Sequence, residues 1–339
     1  MQVVYTLIAQ NILDAMNNFW QQLPKPIIAL APMAGVTDAA FRIICKDFGA
    51  DVIYTEFAST NALVQGNDAT RNMIAFDPRE QPVVCQLFGH DPEMYRKAAR
   101  ILEEMGFAGV DINFGCPAYK VVAHGGGVSL MRDPKRCAEL VQATCEGVKN
   151  IPVSIKIRAS ICKENCDRSD PANHVTALDL IDEIKRLPVA AVMIHGRSYE
   201  KPFDGDPNTG VIKQVKKVFN GIVIANGGIN TPEDAKQMLD ETGADGIGLA
   251  RGVRGSPWLF KQIKEYLTTG SYQEYSWEDR KLLALKHSEA ALKVKGEWGI
   301  IEMRKHLAWY VRGTPYAAKL RSQLVRVNTI KDVETILAG

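Results

Sequence analysis

The sequence lacks a long apolar run and a strong net charge. No segment reaches the 18 consecutive apolar residues that a membrane-spanning helix requires. The 339-residue chain has a formal charge of only +2, so its overall charge predicts no polyanionic partner. Residues 1–24 have neither the cationic start nor the small-residue cleavage site of a signal peptide. We therefore expect a globular, cytoplasmic protein that does not act in a membrane.

Cysteines are few and irregularly spaced. Seven in so long a chain are atypical of a secreted disulfide framework and favour a reducing compartment. The stretch "CKENC" brings Cys162 near Cys166, but no further Cys or His beside them completes a metal site. We interpret it as a solvated insertion loop and predict no metal. We expect the others, except one discussed below, to be small buried apolar side chains: Cys45, Cys85, Cys137 and Cys145.

No nucleotide-binding signature is present, neither GxxxxGK[ST] nor a glycine-rich turn after the first apolar run. Instead, eight short runs rich in Val and Ile alternate with helical segments, which is typical of strands buried on both faces. This alternation predicts a (β/α)8 TIM barrel over residues 25–268 rather than an open doubly wound sheet. The eight runs are Ile28–Pro32, Val52–Glu56, Pro82–Phe88, Val110–Phe114, Val153–Ile157, Ala190–His195, Ile222–Asn226 and Asp245–Ala250.

Two flanking segments depart from the strand–helix pattern. Residues 1–24 carry apolar side chains at helical spacing from Ile12 to Trp20, which predicts a helical N-terminal extension. Residues 272–339 contain no strand run and are expected to form an all-helical domain. From Ser276 onwards the charge is +5, which leaves −3 for the rest of the chain. A basic helical domain on a near-neutral body predicts an anionic partner.

Polar residues end seven of the eight predicted strands. The C-terminal ends of barrel strands meet at one mouth, so we expect these side chains to form a single site. A short glycine pair in loop seven allows close backbone approach, and an arginine in loop eight adds a fixed charge, which together favour phosphate binding over two simple tight turns. The strand-end residues are Pro32, Met33, Ala34, Glu56, Gln86, Asn113, Cys116, Lys156, Arg158, His195, Arg197, Asn226, Gly227, Gly228, Ala250 and Arg251.

Cys116 differs from the other cysteines in its context. It lies between Gly115 and Pro117 at a strand end, and a glycine-rich segment typical of a mobile lid follows at 125–127. A thiol with an ordinary pKa of about 8.5 is mostly protonated at neutral pH and can donate a proton. It would equally serve as a nucleophile beside a base, but no sequence neighbour declares itself as that base.

Two further strand-end residues have a predicted chemical role. Lys156 follows apolar residues on an inward-facing strand, where its charge would stabilise negative charge on a bound ring; Gln86 would offer an amide to the same ring. For His195 the alternative is a satisfied core histidine, but the following Gly-Arg favours a ligand contact.

The helical segment contains a cationic stripe beside aromatic residues. Arg304, Lys305 and His306 precede Trp309 and Tyr310. This arrangement predicts contact with an RNA backbone and its bases, although charged stripes are commonly just solvated faces.

Several motifs together resemble the tRNA-dihydrouridine synthases and are most similar to the bacterial B-type subfamily. The likeness extends from about Ile28 to the C-terminus. The matching stretches are "APMAGVTDAAFR", "VCQLFG", "DINFGCPAYKV", "SIKIR", "IHGRS", "IANGGI", "GADGIGLARGVRGSPWLF" and "RKHLAWY". The piece "GCP" after "DIN" is the most diagnostic of them. One departure is Gly228, which stands where many relatives have an acidic residue.

The resemblance implies an FMN-bearing barrel joined to a helical tRNA-binding domain, with NADPH as reductant and no obligate protein partner. It implies that Cys116 is the proton donor and that Asn113 lines a uracil pocket. We assign Arg158, Arg197, Arg304, Lys305 and His306 to the substrate. The implied flavin-ring contacts are Pro32, Met33, Ala34, Gln86, Lys156 and His195. The implied FMN-phosphate contacts are Asn226, Gly227, Gly228, Ala250 and Arg251.

The implied reaction reduces uridines of the tRNA D-loop to 5,6-dihydrouridine. Saturating the uracil C5–C6 bond needs a hydride at C6, which flavin N5 can give, and a proton at C5, which Cys116 can give. The uridine must be swung out of the folded tRNA to reach a barrel mouth. Two alternatives remain: a small-molecule FMN-dependent reductase of the dihydroorotate or enone type, and a non-catalytic RNA-binding protein on a degenerate barrel.

Overall fold

Eight parallel strands close into a barrel in the computed structural model, which describes residues 18–123, 125–163, 167 and 170–338. Strand β2 pairs with both β1 and β4, so the ring closes in the order β1-β2-β4-β5-β6-β9-β10-β11. Each predicted strand lies within two residues of an observed one, which confirms the TIM barrel. The barrel strands are β1 (Ile27–Leu30), β2 (Val52–Tyr54), β4 (Val83–Phe88), β5 (Gly109–Phe114), β6 (Val153–Arg158), β9 (Val189–His195), β10 (Ile222–Asn226) and β11 (Gly246–Leu249).

Helices surround the barrel and continue as the C-terminal region. Those of the barrel half are α1 (Phe19–Gln22), α2 (Ala39–Asp47), α3 (Thr60–Val64), α4 (Asp68–Ile74), α5 (Pro92–Glu104), α6 (Tyr119–Ala123), α7 (Pro134–Gly147), α8 (Ala177–Ile184), α9 (Thr209–Val218), α10 (Pro232–Thr242) and α11 (Leu259–Thr269). The C-terminal region contains α12 (Trp277–Lys295), α13 (Glu297–Tyr310), α14 (Ala317–Leu324) and α15 (Ile330–Ala338). No described helix is long and apolar enough to cross a bilayer.

Local sequence signals explain where several barrel helices start and stop. Asp91, Asp133 and Thr231 accept hydrogen bonds from backbone N–H groups of the first helical turn, and each precedes a proline at the first helical position. Gly243 ends α10 with φ of 64°, a left-handed conformation that a side chain disfavours. These caps fix the helix starts and thereby the lengths of the preceding loops.

The helical region docks on the first barrel helix. Ala40 and Ile44 of α2, with Trp258, belong to the same buried apolar cluster as the interior of α12–α15. An ion pair between Lys295 Nζ and Asp38, at 2.8 Å, crosses the junction. The first barrel loop, which connects β1 to α2 and ends at Asp38, is therefore in contact with both the barrel and the helical region.

Two short strands flank the segment that the sequence predicts to be a solvated loop, most of which lies outside the described residues. Strands β7 (Ser160–Cys162) and β8 (His174–Thr176) pair as an antiparallel hairpin, while a further short strand, β3 (Ala58–Ser59), extends β4. Cys162 is disulfide-bonded, which departs from the expectation of reduced thiols, and Cys166 lies outside the described residues. No cluster of three or more potential metal ligands occurs among the described residues.

The remaining predictions for cysteines and the N-terminus have mixed outcomes. Cys45, Cys85 and Cys137 are buried as predicted, whereas Cys145 is partly exposed. The predicted N-terminal helix falls mostly on residues 1–17, outside the described part of the chain. Trp20 in α1 is fully buried against Tyr54 of β2, with ring centroids 6.3 Å apart.

Candidate functional site

A cavity of about 1020 Å³ opens at the C-terminal ends of the barrel strands. Its volume is in the upper range for small-molecule and cofactor sites. It brings together every strand-end residue assigned above to a cofactor, together with four of those assigned to the substrate or to proton donation. These lining residues are Pro32, Met33, Ala34, Gln86, Asn113, Cys116, Lys156, Arg158, His195, Arg197, Asn226, Gly227, Gly228, Ala250 and Arg251.

The cavity is strongly cationic. Among its described lining residues are six Lys or Arg side chains and one carboxylate, Glu200. Glu200 also accepts a hydrogen bond from the backbone N–H of Cys162 at 2.7 Å, and its single negative charge offsets only one of the six positive ones. Like charges gathered around one cavity focus the potential and attract anions. The cations are Lys156, Arg158, Arg197, Arg251, Arg254 and Arg312.

The glycines of loop seven are required by the backbone and by the space around them. Gly227 has φ of 109° and Gly228 has φ of 77°, which side chains disfavour. A Cβ on Gly227 would lie 2.6 Å from His195 Cδ2, and one on Gly228 would lie 2.9 Å from Pro207 Cγ. Arg251 lines the same part of the cavity, with its guanidinium carbon 5.1 Å from the centroid of the Phe203 ring. Together the glycine backbone and this guanidinium form a cradle suited to a phosphate.

His195 lies inside this cationic environment as a neutral ring. Burial, followed by the charges of Lys156, Arg158, Arg197 and Arg251, lowers the pKa of His195 to about 2. Its Nε2 lies 3.5 Å from Arg197 Nη1. A neutral imidazole adds no further positive charge and offers a flat face to a bound ring.

The Lys156 ammonium on β6 points towards β10, which lies two strands further around the barrel. Its Nζ donates to Asn226 Oδ1 at 3.3 Å, and Asn226 Nδ2 donates to the Gly248 carbonyl at 2.6 Å. Burial, with Arg158 nearby, lowers the pKa of Lys156 to about 8, whereas Asp111 and Cys116 favour its charged form. The ammonium remains mostly charged at neutral pH and can stabilise negative charge in the cavity.

Arg158 holds loops rather than reaching out as a free cation. It is 3% exposed, and its guanidinium donates to the carbonyls of Gly115 at 2.8 Å, Ser198 at 3.1 Å and Pro202 at 3.4 Å. Without these bonds the Gly-Cys-Pro turn would be freed on one side and the β9–α9 loop on the other. The structure thus gives Arg158 an anchoring position that the sequence did not indicate.

Cys116 is a partly buried thiol held by its backbone. Its N–H donates to Asn113 Oδ1 at 2.9 Å, and its carbonyl accepts from Val128 N–H at 3.1 Å. A Cβ on Gly127 would lie 2.7 Å from that carbonyl, so the glycine lets the following segment pack against the turn. Burial raises the pKa of the Cys116 thiol above its ordinary value, although Lys156 and Arg158 oppose the shift. The thiol is therefore protonated at neutral pH, as a proton donor requires.

Three residues assigned to the substrate lie outside the cavity. Arg304 donates to Val327 O and to Asn328 Oδ1, both at 2.8 Å, and Lys305 is half-buried. His306 is 2% exposed and packs between Phe41 and His287 at the junction of barrel and helices. A buried ring cannot reach RNA, so His306 is not retained as an RNA-binding residue.

Sequence reasoning missed several residues that the structure places at the site. Asp111 is a fully buried carboxylate in β5 that bonds to Gln86; a charged residue inside an apolar run was the available signal. Arg254 and Arg312 extend the cationic lining towards the helical region, and Arg254 stacks on Trp309 at 4.9 Å. Arg254 follows the eighth strand in the same loop as Arg251, so its position after a strand end was an available signal, whereas no local pattern placed Arg312 of the helical region at the mouth.

Comparison with protein families and curated proteins gives concordant matches. A family model described as "Dihydrouridine synthase (Dus)" matches residues 29–338. The "tRNA-dihydrouridine synthase B" of Pseudomonas aeruginosa is 33% identical over 307 residues, covering 90% of this chain and 89% of that protein. That of Shewanella oneidensis is 34% identical over 292 residues, covering 86% and 87%. A "Probable tRNA-dihydrouridine synthase" of Rickettsia prowazekii is 36% identical over 308 residues, covering 90% of each.

Solved structures share the barrel at low sequence identity. A 2-naphthoyl-CoA reductase complex has a TM-score of 0.54 at 12% identity, covering 70% of this chain and 50% of that one. Histamine dehydrogenase from Rhizobium sp. 4-9 has a TM-score of 0.51 at 12% identity, covering 78% and 49%. At these identities the likeness concerns the fold alone.

Proposed function

The chain belongs to the dihydrouridine synthase family, with relatives of the B type, and we propose that it reduces uridines in the D-loop of tRNA to 5,6-dihydrouridine with FMN as cofactor and NADPH as reductant. The observation that carries this proposal is the cationic cavity at the barrel mouth, with the Cys116 thiol in its wall. An anion-binding cradle and a proton donor in one cavity are what a flavin-dependent reduction of a nucleotide needs.

The residues present fit FMN. Its phosphate would lie against Gly227 and Gly228, where a side chain would collide with His195 or Pro207, and against the guanidinium of Arg251. Its ring would face Gln86 and Lys156, and the neutral His195 adds no repulsion with them. Bound FMN, reduced by NADPH, would supply the hydride for uracil C6.

The protein's own groups would perform the remaining tasks. Cys116, protonated at neutral pH, would donate the proton at uracil C5, and the thiolate left behind would lie near the charges of Lys156 and Arg158. The Asn113 amide would orient the uracil. Arg158 would keep the Gly-Cys-Pro turn in place through its bond to the Gly115 carbonyl.

We place the tRNA backbone on a path of cations that leaves the cavity towards α14. Arg254 and Arg312 line the mouth, and Lys319 and Arg321 on α14 are exposed. The Tyr316 ring is 81% exposed at the start of that helix and offers a stacking surface for a base. Swinging a uridine out of the tRNA costs a few kcal/mol, which phosphate contacts along this path would offset.

Replacing both cations of α14 tests this path. We expect the Lys319→Ala/Arg321→Ala variant to bind tRNA more weakly, with the salt slope of the binding constant reduced by about 1 for each phosphate that is no longer neutralised. Filter binding or fluorescence anisotropy across a salt series measures the slope. The control is Lys213→Ala/Lys217→Ala, which removes two exposed lysines from α9 on the barrel exterior. An equal change in both variants would mean that only overall charge matters.

The reaction itself is tested by mapping dihydrouridine in tRNA from cells with and without the protein. Loss of dihydrouridine at defined D-loop positions, restored by the purified protein with FMN and NADPH, is the expected result. A purified protein without flavin, or one that reduces only free dihydroorotate-like or enone substrates, would contradict the proposal.

A further inference from the structure

A carboxylate is buried directly behind the wall of the cavity. Asp111 is 0% exposed and lies on β5 in register with Gln86 of β4 and Ser154 of β6. Its Oδ1 accepts from Ser154 Oγ at 2.7 Å and its Oδ2 from Gln86 Nε2 at 2.8 Å. Burying a carboxylate in an apolar strand is costly even when it is hydrogen-bonded, so the presence of Asp111 at this position needs an explanation.

The bonds continue from Asp111 to the cysteine turn. Gln86 Oε1 accepts from Asn113 Nδ2 at 3.1 Å. Asn113 Oδ1 in turn accepts from the N–H groups of Gly115 at 3.1 Å and Cys116 at 2.9 Å. We call this series, Asp111–Gln86–Asn113–Cys116, the polar chain. It runs from the barrel interior to the turn that carries the thiol.

The donor and acceptor order of the polar chain depends on its buried end. Each amide can be turned by 180°, which exchanges its oxygen and nitrogen. An ionised carboxylate only accepts, so it requires Nε2 of Gln86 on its side and leaves Oε1 facing Asn113. Asn113 must then present Nδ2 to Gln86 and Oδ1 to the turn. Neither amide imposes this order by itself, since each accepts either sense, so the carboxylate adds to the preference that the N–H groups of the turn exert from the other end.

We propose that Asp111 is a positioning residue that fixes the orientation of the Gln86 and Asn113 amides and thereby holds the Gly115–Cys116 turn in its hydrogen-bonded position. The importance of that position for catalysis rests on the proposed function. The same order leaves one further N–H of each amide, so this part of the wall offers donors and suits carbonyl oxygens of a bound ring. Burial raises the pKa of Asp111 to about 6, while its bonds to Gln86 and Ser154 limit the rise, and it stays mostly ionised at pH 7.5.

Asp111→Asn tests the proposal with an almost isosteric side chain. The amide introduced at position 111 can present either atom to Gln86, so the buried end no longer imposes the order and the turn loses its acceptor in part of the molecules. We expect iodoacetamide to modify Cys116 in the full-length protein at pH 7.5 about fivefold faster, as expected for the loss of one net hydrogen bond. Peptide mass spectrometry follows each cysteine separately. The buried Cys85 and Cys137 should stay unmodified, which shows that the fold is intact.

Two matched variants separate this role from a merely structural one. Ser154→Ala removes the other bond of Asp111 but leaves Gln86 facing a carboxylate, so the Cys116 rate should stay within about twofold of wild type. Asp111→Asn/Asn113→Asp moves the carboxylate to the other side of Gln86. Gln86 can then turn over, donate to the carboxylate introduced at position 113 and accept from the amide introduced at position 111. The new carboxylate also accepts from the turn, so the double variant should return the Cys116 rate to near that of wild type.

A Cys116 rate in Asp111→Asn within about twofold of wild type, or no recovery in the double variant, would overturn the proposal. If Cys85 and Cys137 also react in Asp111→Asn, the fold of that variant is disturbed, and the single variant Asn113→Asp tests the proposal instead. In that variant Asp111 keeps Oε1 of Gln86 facing the carboxylate introduced at position 113, so two acceptors face each other. Cys116 should therefore react faster than in the double variant. Equal rates in the two variants would refute the proposal. These rates need no uridine reduction, so they stand or fall separately from the proposed function. If that function holds, Asp111→Asn should also lower kcat for dihydrouridine formation more than it changes KM.

Discussion

Cys116→Ala should lower the rate of dihydrouridine formation by about 10²- to 10⁴-fold, the usual contribution of a positioned general acid. The thiol lines the cavity, and burial raises its pKa, so the wild-type protein has its proton available at neutral pH. Alanine removes this proton without changing the backbone bonds from the turn to Asn113. Single-turnover measurement with tRNA gives the rate, and flavin absorbance checks that cofactor binding is retained.

The pH dependence follows from the direction of the Cys116 shift. Because the folded-state pKa is raised, the thiol stays protonated through neutral pH and loses its proton only above its ordinary range. Activity should hold through neutral pH and fall in alkaline solution. Cys145→Ala is the matched control, since that thiol is partly exposed on α7 and lies outside the cavity lining. Unchanged turnover in Cys116→Ala, or an equal loss in Cys145→Ala, would remove the case for a specific acid.

The sequence was sufficient for the barrel because its strands are short runs of mostly apolar residues, interrupted at only a few positions such as Asp111 and Lys156. Residues such as Ile155, Val192 and Ile247 are fully buried, and this burial on both faces is what makes the runs legible. The strand-end residues could be assigned to one site without coordinates, because closure of a parallel barrel brings all C-terminal ends to one mouth. Gly227, Lys156 and Cys116 were found by topology in this way.

The sequence could not predict contacts whose partners are distant along the chain. His306 lies in a stretch whose composition is typical of RNA-binding surfaces, yet its ring packs on Phe41, more than 250 residues earlier in the chain. No local sequence pattern predicts such a contact. Arg158 resembles a free cation at a strand end in the sequence, but its guanidinium donates hydrogen bonds to carbonyls of two loops. The order of the polar chain likewise depends on pairing between β4, β5 and β6, so the role of Asp111 emerges only in three dimensions.

Arg42→Met should destabilise the protein by about 3–5 kcal/mol, the usual cost of leaving one partner of a buried ion pair unpaired. Both Arg42 and Glu80 have 0% exposed side chains, and Arg42 Nε donates to Glu80 Oε2 at 2.5 Å. The same guanidinium donates to the carbonyls of Thr37 at 3.0 Å and Ala75 at 2.6 Å. Methionine fills a similar volume but leaves a carboxylate and two carbonyls without these donors. Urea unfolding at constant pH measures the loss.

The protonation of Glu80 provides an internal check on this prediction. Burial raises the pKa of Glu80 and Arg42 opposes the rise, so removal of Arg42 should raise it further. A folded-state pKa above the unfolded value means that stability falls as pH rises through that interval, so the deficit of Arg42→Met should be larger at pH 8 than at pH 5. Arg42→Met/Glu80→Gln removes the stranded charge while its amide oxygen can still accept from the Asp77 N–H. The double variant should therefore be more stable than the single one at pH 8, and a deficit independent of both pH and residue 80 would show that reduced packing, not an unpaired charge, dominates.

The ion pair also connects stability with the site. Thr37, held through its carbonyl by Arg42, accepts with its Oγ1 from the Met33 N–H at 3.1 Å, and Met33 lines the cavity. The first barrel loop therefore owes its position to a charge buried beneath it. Arg42→Met should weaken FMN binding at temperatures where the barrel is still folded, whereas a variant of equal destabilisation far from this loop should not. Titration of the folded variants with FMN, followed by flavin fluorescence, distinguishes the two, and identical affinities would confine Arg42 to global stability.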